Sequence, residues 1–291
     1  MSRPKVIASD LDGTLLYPRN PFQLANRKTV RFVRRYVEDG GKVILVTSRS
    51  AEFTDKVARF FKIPLNAICY SGARIYHEGE LIHEEFLAPG VAERILEDTK
   101  DVTHIGLMYT KDRTMVYNRH NASPWANFCF WGFSFFLGEH REHCVAKPEV
   151  YAEELMKDRV YKLMMIVGFS EKKRERLQSL VADLSAKYPE VTIGWNGPAL
   201  EVSPKKCTKA DALSFYLDYT KIGRDNVLVV GDGGNDVPMF AAYPEMSYCL
   251  AHADEAVKGQ AGHTIRRFLD LEKVIYPLEE KHSEERKKVT K

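Results

Sequence analysis

The sequence predicts an α/β fold built on a doubly wound, Rossmann-like parallel sheet, with a second α/β unit inserted into it. The first observation is that short, apolar, β-prone runs alternate with amphipathic helical patterns from the amino terminus onward. The second is that two of these runs, one near each end of the chain, lead into turns rich in Asp and Gly. The third is that the pattern changes character between about residues 86 and 196.

The amino-terminal elements predict the parallel sheet. In order, they are a strand at 5–9, a helix at 26–39, a strand that begins at 42 and ends at 47, a helix at 52–61 and a strand at 67–70. Gly40-Gly41 and Pro64 mark the points where the two helices end. Strands that alternate with helices in this way pair in parallel and are covered on both faces. Two alternating segments, 73–76 and 80–83, then predict a hairpin at Glu78-Gly79.

The remaining elements predict a two-part organisation. We assign residues 1–85 and 197–291 to the core and residues 86–196 to an inserted α/β cap. The cap contains predicted helices at 91–100 and 171–187 and predicted strands at 105–109, 114–118 and 161–167, with two more strands about Asn196-Gly197-Pro198. After Pro204 the core resumes with a helix at 209–219 and a strand at 226–230.

Composition limits the classes of function. The 291 residues are 44% apolar, which is enough for a large core, and 43 basic residues nearly balance 40 acidic ones. A net charge of +3 gives no reason to expect nucleic acid or a membrane as the main partner. The apolar runs are too short for a membrane helix, and the chain does not begin with an ordinary secretory signal. The five scattered cysteines indicate neither a zinc site nor a disulfide framework. We therefore expect a soluble, cytoplasmic protein with reduced thiols and unknown oligomeric state.

Two acidic turns carry the functional signal. Asp10 and Asp12 follow the first strand, and because residues i and i+2 of an extended segment point to one side, their carboxylates can share a small volume. A second turn, Gly231-Asp232-Gly233-Gly234-Asn235-Asp236, follows another buried strand more than 200 residues later. Ligand sites of open parallel sheets lie at the carboxyl ends of the strands. We therefore expect the two turns to meet, with a cation between the carboxylates or a proton on one of them.

Two other interpretations of these turns were weighed. An isolated Asp-x-Asp is more often a solvated surface loop, but here a second acidic turn has the same strand-end context. A calcium loop requires Gly at its sixth position and Glu at its twelfth, whereas Gly13 follows Asp12 directly.

The motifs resemble those of the haloacid dehalogenase superfamily of aspartate-nucleophile phosphotransferases, in particular its Cof-like branch of magnesium-dependent phosphatases. The segment 10–16 matches the first motif of that family and the segment 231–236 matches the fourth. Val46-Thr47-Ser48-Arg49 resembles the second motif, and Lys209 resembles the lysine of the third, for which Lys205 and Lys206 are competitors. The resemblance spans nearly the whole chain and is weakest from about Pro89 to Tyr188.

The resemblance implies a phosphatase that hydrolyses small phosphorylated metabolites, such as sugar phosphates or cofactor phosphates, through a phosphoaspartyl intermediate. Asp10 would be the nucleophile and Asp12 the general acid and base. Asp10, the main-chain carbonyl of Asp12, and Asp232 would hold Mg²⁺ with water molecules. The expected phosphate-binding residues are Thr47, Ser48, Lys209 and Asn235, and the residues expected to contact the substrate or support the site are Arg49, Gly72 and Asp236. A phosphomutase on the same scaffold and a non-catalytic binding module remain alternatives.

Several features concern specificity. The chain departs from the usual pattern of the family at Ser48, Ser71, Ala210 and His252, and we expect the two serines to line the cleft. The cap is expected to close over the substrate and to set specificity. The aromatic segment 125–136 is interpreted as cap core or a partner interface, with stacking on a substrate ring as the alternative.

Overall fold

The computed structural model of the protein describes residues 4–18, 23–103, 105–112, 115–119, 144–145, 147–167, 171–196 and 199–277. In chain order the strands of this part of the chain are β1 (Val6–Ser9), β2 (Lys42–Val46), β3 (Ala67–Cys69), β4 (Arg74–His77), β5 (Glu80–Glu84), β6 (Ile105–Thr110), β7 (Met115–Arg119), β8 (Cys144–Val145), β9 (Val160–Ile166), β10 (Val191–Asn196), β11 (Ala199–Pro204), β12 (Val227–Gly231), β13 (Ser247–Leu250) and β14 (His263–Ile265). The aromatic segment 125–136 lies outside the described residues.

Among the described residues, α-helices connect several of these strands. They are α1 (Arg27–Glu38), α2 (Ala51–Phe61), α3 (Val91–Thr99), α4 (Pro148–Met156), α5 (Glu171–Lys187), α6 (Lys209–Thr220), α7 (Val237–Ala242), α8 (Glu255–Lys258) and α9 (Leu271–Ile275). None of the helices in the described ranges combines the length and apolar character needed to cross a bilayer.

The first sheet has the strand order β14-β13-β12-β1-β2-β3-β4-β5. β1 lies between β12 and β2 and pairs in parallel with both, and the parallel pairing continues to β3 on one side and to β14 on the other. The predicted parallel α/β sheet is therefore confirmed. The predicted hairpin of β4 and β5 does not interrupt this sheet but extends it as an antiparallel edge, because β4 pairs with β3.

Local signals explain where the helices of the core begin. The Asn26 side chain accepts hydrogen bonds from the backbone N–H groups of Lys28 and Thr29, at 2.8 and 3.0 Å, and so caps α1. Ser50 caps α2 in the same way through the N–H of Phe53. Each helix buries one face against the sheet, as the apolar spacing predicts.

The second sheet has the strand order β10-β11-β9-β6-β7-β8. One of its faces packs against α3, α4 and α5 through residues such as Leu163, Met165, Leu200 and Val202. The opposite face meets the first unit, where the rings of Tyr161 and Tyr70 stack with centroids 4.9 Å apart. The second sheet therefore faces the carboxyl ends of the core strands.

The strand topology refines the predicted division of the chain. β11 begins at Ala199, beyond the predicted boundary at residue 197, yet it pairs with β10 and β9 in the second sheet. We therefore propose that the chain returns to the core after Pro204, and the rest of the two-domain division stays a prediction.

Candidate active site

A buried lysine joins the two acidic turns to the start of α6. Its Nζ lies 2.6 Å from Asp10 Oδ1, at the end of β1, and 2.7 Å from Asp236 Oδ1, in the turn after β12. Lys209 is the first residue of α6, and only 1% of it is exposed. Lys205 and Lys206, the competing lysines of the sequence, are both exposed. The structure therefore brings Lys209, rather than either competitor, into the acidic cluster.

Gly13 allows the two turns to approach closely. Its φ is +84°, and a Cβ at this position would lie 2.2 Å from Asp232 Oδ2. A side chain would therefore collide with Asp232 in a backbone conformation that favours Gly. The hydroxyl of Thr14 donates a hydrogen bond to Asp232 Oδ1 at 2.7 Å and ties the turns together. Carboxylate oxygens of Asp10, Asp232 and Asp236 lie within 4.8 Å of one another.

The carboxylate of Asp236 stabilises the second acidic turn by accepting hydrogen bonds. Its Oδ2 accepts hydrogen bonds from the backbone N–H groups of Asp232 and Gly233, at 3.0 and 2.9 Å, while Oδ1 accepts from Lys209. A Cβ on Gly231 would lie 2.3 Å from the carboxyl carbon of Asp236, so the turn needs Gly there as well. Because both carboxylate oxygens already accept hydrogen bonds, Asp236 orients Lys209 and the turn.

Burial dominates the electrostatics of this cluster. It raises the pKa of Asp10 well above the ordinary 3.8, the Lys209 ammonium opposes that rise, and the carboxylates of Asp236 and Asp232 add to it. Burial also raises the pKa of Asp232, against the hydrogen bond from Thr14. Burial lowers the pKa of Lys209, but the neighbouring carboxylates outweigh it and raise that pKa above its ordinary value. Lys209 is therefore a fixed positive charge.

Asp12 does not join the carboxylate cluster. The guanidinium of Arg49 donates to both of its oxygens, Nε to Oδ2 at 2.7 Å and Nη2 to Oδ1 at 3.1 Å. Arg49 is only 8% exposed, so this pair is largely buried and is not a surface salt bridge. The hydroxyl of Thr47 accepts a hydrogen bond from the backbone N–H of Arg49 at 3.1 Å, which positions the loop after β2. Since Ser50 caps α2, Thr47 is not a helix cap.

A chain of polar contacts leads from the second turn to the second sheet. Asn235 Nδ2 donates to Ser48 Oγ at 3.2 Å, and Ser48 Oγ lies 2.9 Å from Ser71 Oγ. Lys162, on β9, reaches Ser71 Oγ at 3.4 Å and Glu201, on β11, at 2.9 Å. The two serines thus lie in this chain of contacts, and their expected place in the substrate cleft stays a prediction. Lys162, which the sequence did not single out, belongs to the same chain. A lone Lys in the apolar run of β9 is the signal that could have indicated it.

Two further residues complete the surroundings. Gly72 has a φ of +128°, and a Cβ there would lie 3.1 Å from the carbonyl oxygen of Thr208, so Gly72 lets its loop pack against the start of α6. His252 Nε2 lies 3.2 Å from Asp232 Oδ2, and its ring stacks on Tyr17 with centroids 4.0 Å apart. The departure from the family pattern at His252 therefore contacts a predicted metal ligand.

A cavity of about 540 Å³ opens above this cluster, between the core and the second sheet. Lys209, Asp232 and Asn235 lie at its floor. This volume falls within the range of about 300–1,000 Å³ that is typical of small-molecule sites.

The donors of the cluster suit a hard divalent cation. Carboxylate oxygens supplemented by water are the ligands that Mg²⁺ prefers, and Asp10 and Asp232 offer them at one place. Within the cluster, the three carboxylates of Asp10, Asp232 and Asp236 face one ammonium group, that of Lys209. A bound cation would offset the surplus negative charge, so the residues present fit a magnesium site.

Comparisons with known proteins agree with this geometry. The family model described as haloacid dehalogenase-like hydrolase matches residues 7–268. The chain belongs to the haloacid dehalogenase-like hydrolase family. The predicted superfamily and the classification as a hydrolase are thereby confirmed.

Individual relatives match over most of their length. The chain is 24% identical over 236 residues to a protein of Buchnera aphidicola subsp. Baizongia pistaciae with a provisional phosphatase name, covering 80% of this chain and 82% of that protein. It is 23% identical over 257 residues to phosphoglycolate phosphatase of Staphylothermus marinus, covering 88% and 89%. A solved structure from Plasmodium vivax, provisionally described as a haloacid dehalogenase/Cof-like hydrolase, has a TM-score of 0.76 at 19% identity and covers 95% and 97%. The similarity to this structure shows that the two chains share a fold.

Proposed function

We propose that the protein is a magnesium-dependent phosphatase that hydrolyses small phosphorylated metabolites through a phosphoaspartyl intermediate on Asp10. The observation that carries the proposal is the buried Asp10 carboxylate, which lies 2.6 Å from Lys209 and beside the carboxylates of Asp232 and Asp236. The phosphatase names of the relatives support the same reaction. The free thiols of Cys69, Cys207 and Cys249 are compatible with the cytoplasm as the proposed compartment.

The negative charge of a phosphate monoester determines which groups the site has to supply. A phosphate monoester is a dianion near neutral pH, so a carboxylate approaches it against electrostatic repulsion. When bound, Mg²⁺ would be held by Asp10, Asp232 and the main-chain carbonyl of Asp12, and would offset that repulsion. Lys209 supplies a second, permanent positive charge at the nucleophile. Thr47, Ser48 and Asn235 supply uncharged hydrogen-bonding groups for the phosphoryl oxygens.

Two displacements at phosphorus complete the reaction. In the first, an oxygen of Asp10 bonds to phosphorus, the ester P–O bond breaks, and the carboxyl of Asp12 gives its proton to the leaving oxygen. In the second, a water oxygen bonds to phosphorus while the Asp12 carboxylate takes its proton. The bond between phosphorus and Asp10 then breaks, so that inorganic phosphate leaves and both carboxyl groups return to their starting states.

The pairing of Asp12 with Arg49 sets a condition on this mechanism. A bidentate guanidinium favours the charged carboxylate and holds both of its oxygens. Asp12 can take up a proton from the solvent, and then donate it, only after at least one of these hydrogen bonds has opened. The phosphoryl group of the substrate offers Arg49 another anion, and we therefore include Arg49 in the proposed site as the group that releases Asp12 when the substrate binds.

Phosphate release is the direct test. The full-length protein is incubated with a hexose phosphate, pyridoxal 5′-phosphate and para-nitrophenyl phosphate, with Mg²⁺ or with EDTA, and inorganic phosphate is measured. We expect release that EDTA abolishes and Mg²⁺ restores. Release without a bisphosphate activator counts against a phosphomutase. Binding of these esters without any turnover would instead indicate a non-catalytic module and contradict the proposal.

A further inference from the structure

The second sheet presents a polar strip to the cavity. Glu201 and Ser203, on β11, line the cavity opposite the floor. They alternate along the strand with Leu200 and Val202, which are buried in the core between this sheet and its helices. Because alternate residues of a strand point to opposite faces, the polar pair faces the cavity. This wall is the part of the cavity that a leaving group would meet, since the phosphoryl group occupies the floor.

Glu201 is held in place by a buried cation. Lys162 Nζ lies 2.9 Å from the Glu201 carboxylate, and the two side chains are 1% and 13% exposed. Lys162 also donates to Ser71 Oγ at 3.4 Å, so it is anchored from the core as well. Replacing a buried ion pair by apolar residues is often neutral or stabilising. Stability therefore does not explain why this pair lies in a largely apolar face.

More carboxylates than ammonium groups line the cavity. Among the described residues that line it, the one ammonium group is that of Lys209, which is engaged by Asp10 and Asp236. Besides Asp232, the carboxylates of Glu201 and Asp254 line it. Lys162 offsets the charge of Glu201, but the carboxylate of that pair, and not the ammonium, lines the cavity. A leaving group with its own anionic group would therefore meet a like charge at close range, whereas hydroxyl groups would find acceptors.

The cavity is also open beside the carboxylate. Gly194, on β10, is the register partner of Glu201 and lines the same cavity. A Cβ built on Gly194 meets nothing within 4 Å. A polyhydroxylated group can therefore lie against β10 and reach the Glu201 oxygens.

We propose that Glu201, positioned by Lys162, is a specificity-determining residue that accepts hydrogen bonds from hydroxyl groups of the leaving group and disfavours leaving groups with a carboxylate or a second phosphate. This inference rests on the proposed phosphatase function and narrows its substrates to monophosphates of neutral sugars and polyols. It also predicts that phosphoglycolate, which the name of the Staphylothermus marinus relative specifies and which has an anionic leaving group, is a poor substrate of this protein.

Two substrates of equal length test the inference. Glucitol 6-phosphate and 6-phosphogluconate differ at C1, where the first has a hydroxymethyl group and the second a carboxylate. We measure kcat/KM for both with Mg²⁺ and expect a preference of at least about tenfold for glucitol 6-phosphate, because like charges at one site are costly. Glu201→Gln keeps the shape and an acceptor but removes the charge, so its preference should fall to about twofold or less, with 6-phosphogluconate gaining.

Matched variants separate specificity from a structural role. Glu154→Gln alters another buried glutamate, which is 1% exposed and accepts hydrogen bonds from Lys157 and Thr110 at 2.7 and 2.8 Å, but does not line the cavity. It should leave the preference unchanged. The double variant Lys162→Met with Glu201→Leu removes both charges in apolar form and should fold, which circular dichroism checks. It should lose the preference as Glu201→Gln does.

The outcomes distinguish the inference from the proposed function. Equal kcat/KM values for the two substrates in the unaltered protein would overturn the inference and leave the phosphatase proposal standing. A preference that changes as much in Glu154→Gln as in Glu201→Gln would also overturn it. If neither substrate nor para-nitrophenyl phosphate releases phosphate with Mg²⁺, the proposed function itself is wrong.

Discussion

In the described part of the chain two buried lysines lie among carboxylates, and the two surroundings differ in their balance of charge. Lys209, at the floor of the cavity, lies between Asp10 and Asp236, with Asp232 close by. Lys162, in the wall, forms an ion pair with Glu201. The floor thus has surplus negative charge, which a cation would offset, whereas the two charges of the Lys162–Glu201 pair offset each other and its carboxylate lines the cavity. An unbalanced cluster is suited to chemistry, and a balanced pair is suited to positioning an acceptor.

The largest expected effect comes from removing the nucleophile at the floor. Asp10→Asn should lower kcat at least about a thousandfold, because the amide cannot form the phosphoaspartyl intermediate. Phosphate release with Mg²⁺ is the measurement, and circular dichroism checks the fold. Asp55→Asn, which alters a surface ion pair with Arg59, is the matched control and should keep its activity. Normal turnover in Asp10→Asn would remove Asp10 from its proposed role.

The two lysines should also differ in how much each contributes to the free energy of unfolding. Lys209→Met should lower the free energy of unfolding by about 3–5 kcal/mol, because two buried carboxylates lose their partner. Lys162→Met should cost less, since one partly exposed carboxylate is left, and adding Glu201→Leu should recover most of the loss. Urea unfolding in EDTA measures all three variants. The comparison fails if Lys162→Met costs as much as Lys209→Met.

Binding of Mg²⁺ should depend on pH, because its proposed ligands Asp10 and Asp232 must be deprotonated to bind it. Because folding raises the pKa of Asp10 and Asp232 above the ordinary 3.8, the protonated carboxyls are favoured in the folded state, and metal-free stability falls as the pH rises through the raised values. Mg²⁺ needs the deprotonated ligands, so it should stabilise more at pH 8 than at pH 5.5. At a hundredfold excess over Kd the rise in Tm at pH 8 should be roughly 5 °C.

Thermal unfolding with Mg²⁺ and with EDTA at the two pH values measures this effect. Asp232→Asn removes one proposed ligand and should reduce the Mg²⁺-dependent rise in Tm at pH 8. A rise at pH 8 that is as large in Asp232→Asn as in the unaltered protein would contradict the assignment of Asp232 as a ligand.

The smallest expected effect concerns Arg49. Arg49→Met removes the bidentate partner of Asp12, and since Asp12 remains partly hydrated, the loss of stability should be about 1–2 kcal/mol. Arg59→Met removes an exposed pair with Asp55 at the same 2.7 Å and should change stability by less than about 0.5 kcal/mol. Urea unfolding compares the two variants. Equal losses would mean that burial adds nothing to the Arg49 pair.

The order and type of most elements could be predicted from local pattern. α5 spans 171–187 as predicted, and α1 lies within the predicted 26–39, because apolar spacing and caps are encoded within a few residues. α4 was missed. Its buried residues are Tyr151 and Glu154, and a charged residue on a buried face does not contribute to an apolar period. The boundary assigned at residue 197 falls inside the hairpin of β10 and β11, and the pairing of β11 with the distant β9 cannot be read from a local window.

The sequence by itself determined the two acidic turns and their strand-end setting, because Asp, Gly and the preceding β-prone runs are contiguous and each has a local physical effect. Only the tertiary structure decided that Arg49 holds Asp12, that Lys209 rather than Lys205 or Lys206 joins the turns, and that Lys162 pairs with Glu201. Electrostatic interactions depend on distance in space and on burial. Neither quantity can be read from the spacing of charges along the chain.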